Sequence, residues 1–328
     1  MNPAEKIISK SNIKTEDIKL NILTFQTHER YEEQLCKTGH NFYAFNLDGM
    51  KKWNPKYAPM PENYVLMPEG QIFDHINFDL ILSQDRFYQF RTASQIRQKL
   101  LIPLVALEHT MLGPHASDAS IQYMKSCVGD INVFISEFSR KYVDIDTNTA
   151  IIHHGVDTDQ FCNKNHKREK KVLSVANDFI NREYCLNFTG WQRVTEKFDV
   201  TVRGDTPGLS EAANPEELIG LYNTHLVFLN TTTHSPIPTV VLEAMSCGCA
   251  VVSTATCMIP EIIENGVNGF ISNDETELKE RIQYLFDNPE EAKRMGENAR
   301  KTILDRFNLE RFVKEWNKIF YTCVGRTS

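Results

Sequence analysis

The chain has 328 residues, 41% hydrophobic and 24% charged, with a formal net charge of −7. That length exceeds one typical compact domain and suits two of about 150 residues each, and the composition is that of a soluble globular protein. The acidic balance argues against a general polyanion binder, no run approaches the ~18 apolar residues of a membrane-spanning helix, and the polar stretch 1–19 lacks the apolar core of a signal peptide.

Short apolar runs rich in β-branched residues alternate with helical patterns along the whole chain. In the first half the expected strands are Leu20–Phe25, Asn41–Phe45, Leu80–Ser83, Leu104–Glu108, Val133–Ser136 and Ala150–His153. Helical patterns fall at Arg30–Lys37, Ser94–Lys99 and Ile121–Cys127. Most of the strands are apolar throughout instead of alternating, as expected for a parallel sheet covered on both faces. A turn-rich stretch from His153 to Asp159, followed by the polar run Asn163–Lys171, is the best linker. Glu169 interrupts the basic part of that run, which reads as a solvated linker and not as a membrane or nucleic-acid patch.

The second half repeats the alternation. Strands are expected at Lys171–Val175, Phe198–Arg203, Leu226–Asn230 and Ala250–Ser253, and helices at Pro215–Tyr222, Glu275–Phe286 and Leu309–Tyr321. Asn214 followed by Pro215 is a well-formed helix start, a cap with proline at the first helical position. The β-α alternation predicts doubly wound α/β domains. Eight cysteines are scattered with no Cys-x-x-Cys pair, and Cys247-Gly-Cys249 offers too few ligands for a metal. Reduced thiols and no signal peptide point to the cytoplasm. There is no Gly-x-Gly-x-x-Gly after the first strand and no phosphate-binding Gly-x-x-x-x-Gly-Lys-Ser/Thr loop, which disfavours an ordinary dehydrogenase or a P-loop enzyme.

The most informative stretch is Asn230–Ser253, read as a strand end, a polar loop, a short helix over Thr239–Cys247 and a second strand. The helix is apolar nearly all round, with Val240, Val241, Leu242, Ala244 and Met245, and such a helix is buried. Glu243 sits in its middle. Either Glu243 lies on an exposed stripe, or it is buried and needs a partner, because an unpaired carboxylate costs several kcal/mol or gives up its charge. The helix start carries no carboxylate, which leaves its N–H groups open to an anion. Together these features suggest a nucleotide site, with diphosphate on the helix N-terminus and ribose hydroxyls on Glu243.

The second half resembles the retaining glycosyltransferases of the large family four, which have GT-B architecture: two facing Rossmann-like doubly wound domains with parallel sheets. Their Glu, seven residues, Glu, Ala-Met-Ala-Cys-Gly pattern is matched in large part from Ser235 to Val252. Ile259–Phe270 looks like the family's Ile-Pro-Glu segment, and His154–Phe161 looks like its Asn-Gly-Val-Asp linker motif. Ile135–Arg140 and Arg281–Phe307 fit as well, whereas residues 1–100 match only in strand order. The resemblance implies an acceptor-binding domain over 1–158, a nucleotide-sugar-binding domain over 159–305, and a last helix over 306–328 that crosses back to the first domain.

It also implies roles. Glu243 stands where the family holds the ribose. Ile237, Pro238, Thr239 and Val240 line the donor diphosphate, and His109, at the end of a strand, stands for the histidine near the anomeric centre, with Glu108 as a candidate partner that fixes its tautomer. His28, after the first strand, lies at the same sheet edge on the acceptor side, although a purely structural role suits it better. Glu261 faces the same cleft in the family and reads as structural first.

Two departures matter. The family's first Glu, which contacts the sugar, is Ser235 here, and its Arg and Lys after the first strand of the second domain are Asn177 and Arg182. Arg182 keeps a cation that can grip a phosphate bidentately, while Asn177 is neutral.

The expectation is therefore a metal-independent, retaining glycosyltransferase. Its donor is a nucleotide-diphosphate sugar, UDP-linked as first guess, and its acceptor is a glycan, a lipid-linked glycan or a small molecule. No metal and no further cofactor are expected, nucleic acid is not an expected partner, and peripheral contact with a membrane stays open. The alternatives are a GT-B enzyme acting on DNA or protein, and a nucleotide-binding pseudo-enzyme, the latter motivated by Ser235 and Asn177.

Overall fold

The computed structural model describes residues 18–47 and 52–325. Residues 1–17 of the polar stretch read over 1–19 and the last three residues of the 306–328 segment lie outside the described residues. Seven strands form the first sheet: β1 (Asn21–Thr24), β2 (Asn41–Ala44), β3 (Tyr64–Leu66), β4 (Leu80–Ser83), β5 (Leu104–Glu108), β6 (Ile131–Phe134) and β7 (Thr149–Ile151). Their order is β3-β2-β1-β4-β5-β6-β7, and every pairing is parallel. The second sheet holds β8 (Glu169–Val175), β9 (Val200–Arg203), β10 (His225–Asn230), β11 (Ala250–Ser253) and β12 (Phe270–Ile271), in the parallel order β12-β11-β10-β8-β9. β1, β4, β5, β10 and β11 are buried at nearly every position, because helices cover both faces.

Each sheet has one place where the chain reverses its direction of growth. In the first, β1, β2 and β3 run outward and β4 returns to the other side of β1; in the second, β10 returns to the other side of β8. At such a reversal the loops at the strands' carboxyl ends part and leave a crevice, which is where α/β sheets bind ligands.

The helices of the first unit are α1 (Glu29–Cys36), α2 (Phe90–Leu100), α3 (Asp118–Ser126) and α4 (Glu137–Val143). Those that follow are α5 (Glu183–Leu186), α6 (Phe188–Thr195), α7 (Pro215–Thr224), α8 (Thr239–Ser246), α9 (Ile259–Ile262), α10 (Glu275–Asp287), α11 (Pro289–Arg306) and α12 (Leu309–Cys323). α7 starts as its sequence dictates, with the Asn214 side chain accepting from the Glu217 N–H and Pro215 in the first turn. No helix among the described residues is long and apolar enough to cross a membrane.

The expected elements recur with local differences. The strand expected over Val133–Ser136 is displaced to Ile131–Phe134, because the Ser136 hydroxyl caps α4 by accepting from the Ser139 N–H. The short edge strands β3 and β12 had no run long enough to read. α11, which begins with Pro289 after Asn288, carries the same proline start as α7, yet the sequence reading covers it only as part of the family-like stretch Arg281–Phe307 and expects no separate helix there.

α12 lies against the first unit, not the second. Trp316 is fully buried and donates from Nε1 to the Tyr31 hydroxyl of α1 at 3.1 Å. Phe320 packs edge-on against His40 and Phe42, and the Tyr321 hydroxyl donates to the Ile18 carbonyl at 3.2 Å. The chain thus passes between units twice. The two passages touch where the Val156 N–H donates to the Phe307 carbonyl at 2.8 Å.

Candidate functional site

The crevice of the second sheet is built by the loops after β8 and β10. Asn177 and Arg182 follow β8 and are exposed. Asn177 Oδ1 accepts from the Asp205 N–H at 3.3 Å, which ties the β8 loop to the loop after β9. The two loops approach so closely that a Cβ on Gly204 would lie 1.9 Å from the Ala176 carbonyl oxygen. Arg182 stands at the start of α5 and is in no ion pair among the described residues.

After β10 the chain runs through Ser235, Ile237 and Pro238 into α8. Pro238 is the cap residue, no side chain caps the helix and no acid stands in its first turn. Thr239 is exposed, Val240 and Ser235 are half-buried, and Ile237 is buried. The first N–H groups of α8 therefore have neither a side-chain cap nor a first-turn acid, an arrangement that favours a bound anion.

Glu243 lies one turn further on and is buried, 5% exposed. Both carboxylate oxygens have partners. Oε2 accepts from the Tyr222 hydroxyl at 2.9 Å, and Oε1 accepts from Arg30 Nη1 of α1, which reaches over from the first unit. Burial first and Glu243 second hold the Tyr222 hydroxyl well above its ordinary pKa, so it remains a donor. Arg30 is held from two further sides, by the Tyr57 carbonyl at 3.3 Å from Nε and by the Phe161 ring 5.7 Å from its guanidinium carbon. The sequence reading looked for Glu243's partner in a ribose. The structure supplies protein partners, and Arg30, 213 positions away, has no local signal that would link the two.

On the facing edge, the first-sheet crevice gathers aromatic and imidazole rings. His109 follows β5, and its ring stacks on His154 at 6.0 Å with an interplanar angle of 6°. Tyr31 meets His109 edge-on at 4.4 Å, and His28 does so at 5.4 Å. Burial, then the neighbouring His28 and His154, depress the His109 pKa well below the usual histidine range. Burial also brings His154 down to about 3.

The expected orienting partner of His109 is corrected. Glu108 turns away, with Oε1 accepting from the Thr110 N–H and hydroxyl at 2.8 Å and Oε2 accepting from the Arg86 N–H at 3.3 Å. The contact on His109 comes from Gln84 instead, whose Oε1 lies 3.2 Å from Nε2. Glu261 lies on the short α9 and is exposed.

The two edges meet through loops. After His109 the loop reaches over to the second unit, where His234 Nε2 contacts the Leu112 carbonyl at 2.5 Å and Cys257 Sγ lies 4.0 Å from Met111 Sδ. Lys56, from the loop before β3, pairs with Glu211 of the second unit at 2.7 Å. Ser235 and the start of α8 thus lie between the His109 loop and the Arg30 contact. The structure brings His28 and His109 together on one face, and Asn177, Arg182, Ser235, Ile237, Pro238, Thr239, Val240 and Glu243 on the other. Sequence reasoning missed Arg30, Tyr222, Gln84 and His154.

Residues 209–302 match the family model of glycosyl transferases group 1. The chain is 33% identical over 84 residues to N-acetyl-alpha-D-glucosaminyl L-malate synthase of Bacillus anthracis, covering 25% of this chain and 22% of that protein. It is 23% identical over 339 aligned positions to an uncharacterized glycosyltransferase of Methanocaldococcus jannaschii, covering 93% of this chain and 90% of the relative. The first of these matches thus spans under a quarter of the relative's length, while the second spans nearly all of it.

Among solved structures, the sucrose-phosphate synthase of Thermosynechococcus elongatus superposes with a TM-score of 0.76 at 14% identity, covering 94% of this chain and all of that one. Anabaena HepE, solved with UDP and glucose, gives 0.73 at 16%, covering 92% of this chain and 100% of that one. The architecture is GT-B, and the resemblance to a GT-B glycosyltransferase family similar to family four holds.

Proposed function

We propose that this protein is a retaining, metal-independent glycosyltransferase that uses a nucleotide-diphosphate sugar. The observation that carries this reading is the uncapped N-terminus of α8 at the second-sheet crevice, with the Glu243 carboxylate one turn behind it. The diphosphate takes the N–H groups of Thr239 and Val240, which the helix dipole favours. Arg182 grips a phosphate, and Asn177 contributes a neutral hydrogen bond. Glu243 takes the ribose hydroxyls. Stabilising the departing diphosphate is the main demand of the reaction, and these groups meet it without an ion. Same-face attack, with the donor phosphate accepting the acceptor's proton, then retains the anomeric configuration.

UDP is the first nucleotide to test, because HepE, of the same fold, is solved with UDP-glucose. The acceptor lies on the His28 and His109 side and is a glycan, a lipid-linked glycan or a small molecule. The eight free thiols are consistent with a cytoplasmic setting.

Calorimetric titration of UDP, GDP and ADP tests the site. Replacing Glu243 with Ala is expected to weaken UDP binding by roughly 1–3 kcal/mol, the cost of a lost charge-assisted hydrogen bond. Unchanged affinity in a folded variant would remove the ribose role. Hydrolysis of UDP-glucose with analysis of the product anomer tests retention, and an inverted product overturns it.

A second reading has specific support: Ser235 and Asn177, in place of the family's Glu and Arg, both suit a protein that binds nucleotide without transfer. Measurable UDP-sugar binding with no turnover on water or any acceptor selects it.

A further inference from the structure

Gln84 follows β4 and is fully buried in the crevice between β1 and β4. Its amide nitrogen donates to the Phe25 carbonyl at 3.0 Å and to Thr24 Oγ1 at 3.1 Å, and approaches Glu32 Oε1 at 3.4 Å. The Phe25 carbonyl can only accept, so it fixes the amide's orientation: the nitrogen faces β1 and the oxygen faces the ring of His109. That oxygen can only accept in turn. The 3.2 Å contact is therefore a hydrogen bond only when His109 Nε2 carries the hydrogen. A neutral imidazole has one N–H, and with it on Nε2 the other nitrogen is a bare acceptor.

The surroundings keep the ring neutral. The groups around it are the imidazoles of His28 and His154 and the phenol of Tyr31, with Glu32 behind Gln84. No carboxylate touches the ring itself among the described residues.

We propose that Gln84 is a positioning residue that locks His109 as the Nε2–H tautomer, so that its Nδ1 accepts a hydrogen bond from a substrate hydroxyl. The tautomer follows from the geometry alone, and the substrate role rests on the glycosyl-transfer reading. The opposite tautomer would present an N–H to that hydroxyl and remove the acceptor.

The test uses the full chain with ¹⁵N-labelled histidine and two-bond ¹H–¹⁵N spectra, with His109 assigned by loss of its signals in His109→Gln. The expected result is a protonated Nε2 and an unprotonated Nδ1. Gln84→Met removes the acceptor and is expected to move His109 toward a mixture of tautomers. Gln84→Glu retains an oxygen facing the ring and, protonated, still donates to the Phe25 carbonyl, so it keeps the Nε2–H form. With UDP-glucose hydrolysis as the assay, Gln84→Met is expected to lower kcat about tenfold or more with KM within about twofold, and Gln84→Glu to recover much of that loss. A protonated Nδ1 in the unmodified protein, or an unchanged tautomer in Gln84→Met, overturns the assignment. A tautomer change with unaltered kcat overturns the substrate role. If the unmodified protein turns over no UDP-, GDP- or ADP-glucose with water or any acceptor, the transferase reading is what fails, and the spectra still decide the tautomer.

Discussion

Arg30 and Glu243 form an ion pair across the cleft, with side chains 25% and 6% exposed. Breaking a buried pair by removing one partner commonly costs roughly 3–5 kcal/mol, because the remaining charge is left uncompensated. A ribose that uses Glu243 has to displace Arg30, so the pair and the nucleotide compete. Arg30→Met is therefore expected to lower the unfolding midpoint and yet to tighten UDP binding by about 1 kcal/mol, since the competent state no longer has to be freed first. Calorimetry of UDP on the variant checks this, and weaker binding would show that Arg30 assists the nucleotide instead.

A second expectation at this scale concerns acid. His154 is depressed to about 3 by burial, so between that value and the ordinary histidine value the unfolded chain binds more protons than the folded one. Its contribution to stability is complete above about 6.5 and is lost as pH falls toward 3. Glu32 has the opposite sign: burial raises it to about 8, so its contribution is present below about 4.5 and is lost as pH rises through 8. Chemical denaturation across pH should show stability declining on both sides. Glu32→Gln, which keeps an acceptor for the Thr27 N–H, should flatten the alkaline side.

At the scale of single elements, α8 was the most legible part of the chain. Its uncapped start and its lone carboxylate could be read from eight consecutive residues, because both are local properties of one helix. What holds the carboxylate was not legible, because Arg30 and Tyr222 come from two other helices and sequence spacing does not report that proximity. The same distinction separates His109, placed by its strand, from Gln84, whose role depends on which strand lies beside β1. The edge strands β3 and β12, of three and two residues, were too short to carry periodicity. α12 was legible as an amphipathic helix, but its docking partner was known only through the family resemblance. That docking can be measured directly. Trp316→Ala is expected to cost roughly 3–5 kcal/mol in urea unfolding, from the lost volume at a fully buried position. A value near zero would mean that the helix contributes little to the first unit.

For the whole molecule, the alternation of short apolar strands with helices was enough to predict two parallel α/β sheets, since a strand buried on both faces advertises itself as an unbroken apolar run. The facing of the two crevices was not predictable from either half alone. It depends on contacts such as His234 with Leu112 and Lys56 with Glu211, which join segments 122 and 155 positions apart. The Lys56–Glu211 pair is partly exposed and contributes little by itself. Lys56→Ala is accordingly expected to change the thermal midpoint by under about 1 °C while leaving UDP affinity unaltered, as scanning calorimetry and titration would show.

The return of α12 has a consequence for the order in which the molecule is made. A ribosome delivers the first unit's strands early, but the helix that covers Tyr31, His40 and Phe42 emerges only after the second unit. Domains ordinarily fold as units in the order of their synthesis. Here the unit made first stays unfinished until the unit made second is complete, so a nascent chain arrested near residue 308 would present an apolar face to the solvent and to chaperones.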